Sequence, residues 1–155
     1  MRKQPKWSIP AVVVIGLAVL ATAAPARALA PAIKDALTNS TYVYIASTRK
    51  AGTLGKPAEI WFLYHDDAVY VASPTTTHRV RRIKAGRPQA KIAVGKPDGP
   101  SFSATGAVVN DAKVQQLMLD AFAKKYPDGW PLHAEKFRSG FKDGSRALIK
   151  YTPKD

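Results

Sequence analysis

The chain has 155 residues, no cysteine, and 24 lysines and arginines against 11 acids, for a net charge of +13. Its length fits one domain; the lack of cysteine excludes a disulfide framework and thiol chemistry; and the widely spaced His65, His78 and His133 match no zinc-ligand spacing. So large a cationic excess favours anionic partners such as phosphates, nucleotides, acidic polymers or lipid head groups, the plain alternative being a solvated basic surface.

The first element is an address. Met1 to Lys6 is positively charged, Ile9 to Ala24 is an apolar run, and Ala24, Ala26, Ala28 and Ala30 follow at alternating positions. A signal peptidase needs small side chains at −3 and −1, which places the cut after Ala26-Arg27-Ala28. Residues 1–28 are therefore expected to be a signal peptide and residues 29–155 an exported domain, periplasmic or secreted. The apolar run is shorter than the ~20 residues that cross a bilayer comfortably, so a membrane enters only if the segment stays uncleaved.

Ala30 to Asn39 reads as a short helix, with Pro31 in its first turn and Ile33, Ala36 and Leu37 on one face. Thr41 to Thr48 alternates β-branched and aromatic residues and predicts a strand. Arg49 to Pro57, with two glycines and a proline, is a turn. Ala58 to Tyr64 is a second strand, apolar on both faces near its centre, which marks a doubly buried position. His65-Asp66-Asp67 is a tight hairpin, leading to a third strand over Ala68 to Ala72.

The hydroxyl-rich loop Ser73 to Thr77 precedes a short helix, His78 to Lys84, with Val80 and Ile83 inward and Thr76 or Thr77 as its cap. Gly86 and Pro88 end it. Gln89 to Val94 and Phe102 to Val109 are strands joined by a Lys-Pro-Asp-Gly-Pro turn. Asn110 is the expected cap of an amphipathic helix, Asp111 to Tyr126, in which Val114, Leu117, Met118, Ala121 and Phe122 follow helical spacing. Trp130 to Gly144 shows no clear pattern, and Ala147 to Thr152 alternates as a last strand. The fold class expected is mainly β with flanking helices (α+β): a small six-stranded barrel, closed or nearly so, with a short helix after the third strand and an amphipathic helix near the C-terminus.

No nucleophile motif, Walker-type loop or dinucleotide fingerprint is present. The dense constellation is the segment from Ser73 to Arg87, which holds Thr75, Thr76, Thr77, His78, Arg79, Arg81, Arg82, Lys84 and Arg87. A hydroxyl loop opening a helix offers backbone N–H groups and a positive dipole end. Arginines beside it can grip a phosphate through two parallel hydrogen bonds. The same arginines on a short amphipathic helix are also what its wet face would look like, and spacing does not separate the two readings. Glu59 and Trp61 share one face of the second strand. Trp61 could stack on an aromatic ligand or belong to the core. Glu59, if buried, needs a partner such as Arg49 or an arginine of the 79–82 cluster.

The ordered series Thr-Arg-Lys, a glycine turn, Lys-Pro-x-x-x-Trp-Phe, Tyr-x-Asp-Asp, Val-Tyr-Val, a hydroxyl loop, Arg-Val-Arg-Arg-Ile and Gly-Arg-Pro resembles the split β-barrel superfamily of flavin-binding proteins, which includes the pyridoxamine 5′-phosphate oxidase-like and deazaflavin-dependent nitroreductase-like proteins. The likeness runs from Thr41 to Val109. It implies a homodimer with FMN, or a related deazaflavin, at the subunit interface; some relatives bind haem or no cofactor. By the resemblance, Thr75, Thr76 and Thr77 with Arg79 and Arg82 match the part that holds the cofactor phosphate. Arg49, Lys50 and Glu59 to Trp61 match the segments beside the isoalloxazine ring. Thr77-His78-Arg79 stands where the family commonly has Ser-Arg-Lys or Gly-x-Lys, and arginine for lysine keeps charge but changes geometry.

The resemblance implies a flavin-dependent oxidoreductase, which needs no dedicated acid or base because the cofactor carries the chemistry. The alternative is a non-catalytic module for a flavin, haem or another anionic small molecule. A third reading is a basic envelope protein touching acidic polymers or lipid head groups. Nucleic acid is disfavoured by export and because the aromatics fall on core strands rather than among the basic residues.

Overall fold

The computed structural model describes residues 28–154; the expected signal peptide lies outside them but for Ala28. Seven antiparallel strands and four helices follow in the order α1 (Pro31–Asn39), β1 (Val43–Ser47), β2 (Ala58–Ile60), β3 (Leu63–His65), β4 (Ala68–Pro74), α2 (His78–Lys84), β5 (Gln89–Val94), β6 (Ser101–Val109), α3 (Ala112–Lys125), α4 (Trp130–Asp143) and β7 (Arg146–Lys154). The sheet order is β2-β1-β5-β6-β7-β4-β3. The class is the expected one, α+β and mostly β.

The strand expected over Ala58 to Tyr64 is two strands. Ala58 to Ile60 pairs with β1, while Leu63 to His65 pairs with β4. Trp61 and Phe62 carry the chain from one edge of the sheet to the other, so the count rises from six strands to seven and the sheet curls into a half-barrel. The β3–β4 hairpin turns at Asp66 and Asp67, both at positive φ (47° and 53°), as a two-residue hairpin of the primed type requires.

Alternation along β4 and β7 separates two cores. Val69, Val71, Ile149 and Tyr151 point into the barrel with Val43, Ile45 and Ile92. Ala68, Tyr70, Ala72 and Leu148 point outward, under Met118, Phe122 and Phe137 of the helices. β4 is therefore covered on both faces. α1 lays Leu37 on the barrel core, and α2 adds Val80, fully buried, and Ile83.

The cap of α3 is Asp111 rather than Asn110: its carboxylate accepts from the Lys113 and Val114 N–H groups. That satisfies two of the orphan donors of a helix start and puts negative charge at the positive end of the dipole. The segment without a readable pattern is the fourteen-residue helix α4, with Pro131 in its first turn and Gly144 at φ 76° ending it. Gly140 sits inside α4 because a Cβ there would lie 2.8 Å from the Cβ of Arg146.

Candidate functional site: an arginine-lined cleft

α2 begins where β4 ends, so its side chains are delivered to the rim of the barrel. With Val80 anchored in the core, Arg79 and Arg82, three residues apart, fall on the side facing β1 and β2. Arg81 falls outside, exposed, with its guanidinium 3.2 Å from the His78 ring. Arg79 Nη1 donates to Ser73 Oγ (2.9 Å), the hydroxyl of a side chain only 1% exposed. Arg82 Nη1 donates to the Ser47 carbonyl (3.0 Å) and hydroxyl (2.8 Å) on β1. Gly55 makes that approach feasible: a Cβ there would lie 3.0 Å from Arg82 Nη1.

These guanidinium groups line a cleft of about 520 Å³ together with Ser47, Arg49, Lys56 and Thr77. A second cleft of about 360 Å³ adjoins it and shares Glu59, Thr77 and Arg79; its far wall is Trp61, Phe137, His133 and Arg146. Burial holds Arg79 below an arginine's ordinary pKa, opposed by Tyr151, and burial does the same to Arg146. Arginine does not give up its proton in a protein. The lowering is therefore a desolvation cost carried by the cation, which a nearby anion would relieve. The ion pairs among the described residues, Lys34–Asp67 and Lys96–Asp98, lie elsewhere, as does the His65–Asp66 contact. Arg79 Nε and Arg146 Nε are buried without a hydrogen-bond partner among the described residues, as is the Tyr151 hydroxyl, whose pKa burial pushes up to about 12.

Of the residues singled out from the sequence, Arg49, Glu59, Thr77, Arg79 and Arg82 come together on the larger cleft and Trp61 on the adjoining one. Lys50, Thr75 and Thr76 line neither. Lys50 is exposed in the turn after β1, Thr76 faces solvent, and Thr75 is tied to the residue just before β7, its N–H donating to the Ser145 carbonyl at 2.9 Å. Thr77 occupies the cap position of α2, but its hydroxyl donates backward to the Pro74 carbonyl (2.9 Å) instead of capping. The positive potential of the cleft thus comes from guanidinium groups rather than from a capped helix end.

Glu59 is exposed, not buried, and takes no arginine partner among the described residues: its carboxylate accepts from the Tyr44 hydroxyl across the β1–β2 ladder. That bond lifts the Tyr44 pKa. One face of Trp61 is already occupied. The indole stacks on Tyr126 at 4.2 Å and 5°, packs edge-on against Phe122, and lies 6.0 Å from Phe137. It is a wall of the adjoining cleft and a core residue at once. Arg146, Phe137 and His133 were not legible as site residues, since two of them stand on the helix that showed no pattern.

No family model matches the sequence, and no curated protein matches it. Solved structures do match the fold. HutZ, a haem storage protein of Vibrio cholerae, superposes with a TM-score of 0.59 at 13% identity, over 81% of this chain and 89% of that one. An F420 reductase matches at 0.52 and 19% identity, over 79% and 93%. A protein of Clostridium acetobutylicum related to general stress protein 26, of the pyridoxinephosphate oxidase family, matches at 0.55 and 16% identity, over 79% and 81%. The fold that puts Arg79 and Arg82 on the cleft is thus the split β-barrel of the pyridoxamine 5′-phosphate oxidase-like proteins.

Proposed function

We propose that this chain is an exported flavin-binding protein of the FMN type, acting as an oxidoreductase and completed by a second copy of itself. The observation that carries the reading is the larger cleft: Arg79 and Arg82 converge with Arg49, Lys56 and Thr77 on a space of about 520 Å³, within the range of ligand pockets. The one acid in its lining, Glu59, is engaged by Tyr44. Buried or half-buried cations without carboxylate partners fit a phosphate dianion, which can accept from both guanidinium groups. Arg79, Arg82 and Thr77 would hold the phosphate, and Arg49 with the edge strand β2 would run beside the ring. Ala58 and Glu59 are exposed on that edge, where a second subunit would cover a bound cofactor.

When bound, the flavin supplies the hydride or electron chemistry; the protein binds, orients and shields it. Names among the solved structures support a flavin-type or tetrapyrrole ligand for such a barrel, one being an F420 reductase and another a haem storage protein. The haem storage protein favours a second reading, a non-catalytic binding module on the same fold.

The test is the visible spectrum of the purified protein, with and without added FMN. Flavin bands, or micromolar FMN binding to a dimer, support the reading. Their absence removes it, and turnover of a reduced cofactor separates the oxidoreductase from the binding module.

A further inference from the structure

The cleft beyond the arginine pair has a chemistry of its own. Trp61 and Phe137 form its apolar wall. Arg146 lies over the Phe137 ring, 4.2 Å from its centroid, and donates from Nη1 to the Ala72 carbonyl at 3.3 Å. That leaves its Nε buried and unpartnered. No carboxylate among the described residues pairs with Arg146 or with Arg79, which faces it from the other wall. With Arg79 given to the phosphate of the first cleft, and with the slot's one carboxylate, Glu59, exposed and engaged by Tyr44, Arg146 is the half-buried cation left without a counter-charge beside the aromatic slot. Desolvating a cation is costly unless a charge opposes it, and an aromatic wall selects for planar ligands. At about 360 Å³ the slot stands at the low end of the roughly 300–1,000 Å³ of ligand pockets, which suits a single ring.

We infer that this second cleft is the substrate compartment and takes a small planar organic anion, an aromatic or conjugated carboxylate, with Arg146 as its counter-charge and the edge of Trp61 and the Phe137 ring as its wall. The inference rests on the flavin reading for the word substrate; the anion site itself does not. The carboxylate would accept from the Nη2 end of the Arg146 guanidinium, the end that the Ala72 carbonyl does not engage. A neutral amide of the same shape would lack that pairing, and a bare phosphate would lack the ring.

The experiment is calorimetric titration of the purified protein, FMN-loaded and FMN-free, with benzoate, benzamide and inorganic phosphate. Benzoate should bind both forms about ten- to hundredfold more tightly than benzamide, the usual reach of a charge-assisted hydrogen-bonded pair. Arg146→Met should remove that preference while leaving FMN affinity unchanged. Arg146→Lys, which keeps the charge, should retain part of it and guards against a loss due to misfolding. Benzoate and benzamide binding alike, or benzoate displaced by FMN, or an unaltered preference in R146M, each overturns the inference. Benzoate binding to a protein that takes no FMN overturns the flavin reading instead and leaves the anion site standing.

Discussion

The turn that moves the chain from β2 to β3 depends on one hydroxyl. At Trp61–Phe62 the backbone leaves one sheet edge and has not yet joined the other, so the Phe62 N–H has no ladder partner. Phe62 is 1% exposed, and water cannot replace one. The Tyr126 hydroxyl does: it accepts from the Phe62 N–H at 3.1 Å and donates to the Thr41 carbonyl at 2.7 Å. Burial holds the Tyr126 pKa well above the ordinary tyrosine value, which keeps the donor protonated. Tyr126→Phe preserves the stack on Trp61 and deletes only the oxygen. The orphaned buried N–H costs about 1–3 kcal/mol, and the lost bond to Thr41, whose carbonyl lies nearer the surface, about 1 kcal/mol. The sum, about 2–4 kcal/mol, is a large share of the 5–15 kcal/mol typical of a domain, and corresponds to a fall in Tm of roughly 10 °C at this size. Urea unfolding followed by circular dichroism measures the loss, and amide exchange at Phe62 localises it. A variant less destabilised than about 0.5 kcal/mol, with Phe62 exchange unchanged, would refute the reasoning.

Three further perturbations bear on the same elements. Gly129→Ala places a Cβ 2.8 Å from Trp61, which Tyr126 blocks from behind; a loss of about 1–3 kcal/mol and a shifted tryptophan emission are expected, and an unchanged spectrum would contradict the packing. Gly55→Ala pushes Arg82 off Ser47; FMN affinity should fall about tenfold, roughly one charge-assisted hydrogen bond, with little change in urea midpoint. Burial lowers the Lys125 ammonium from 10.5 to about 8, against the attraction of the Phe62 ring 3.4 Å away. Between those two values the unfolded chain binds more protons than the folded one, so stability should rise with pH from 8 toward 10. In Lys125→Met that slope should flatten, as urea midpoints at successive pH values will show.

What could be read from sequence was whatever local spacing decides. Val80 and Ile83 fix the inward face of α2, and from them the placement of Arg79 and Arg82 beside a cleft was one of two readings open. The Asp66-Asp67 hairpin and the outline of α3 follow from turn and cap chemistry. The break at Trp61–Phe62 was hidden, because a segment apolar on both faces looks the same whether it runs straight through a sheet or crosses between two edges. α4 was obscured by Pro131 and Gly140, although Trp130, Ala134, Phe137 and Phe141 keep helical spacing. Glycine there answers to the approach of Arg146, a contact made across the fold. With α4 unread, the wall of the second cleft was unread too. Glu59 found Tyr44 rather than an arginine because the β1–β2 register sets those two residues opposite each other.

The account turns on guanidinium groups gripping a phosphate, and the sharpest measurement compares two ligands that differ by that phosphate alone. Titration of the purified protein with FMN and with riboflavin, followed by flavin fluorescence, should give FMN the tighter binding by about a hundredfold, as two charge-assisted contacts imply. Arg79→Gln combined with Arg82→Gln should bring the two ligands level. Equal affinity for FMN and riboflavin in the unaltered protein, or a preference for FMN that survives both substitutions, would contradict it.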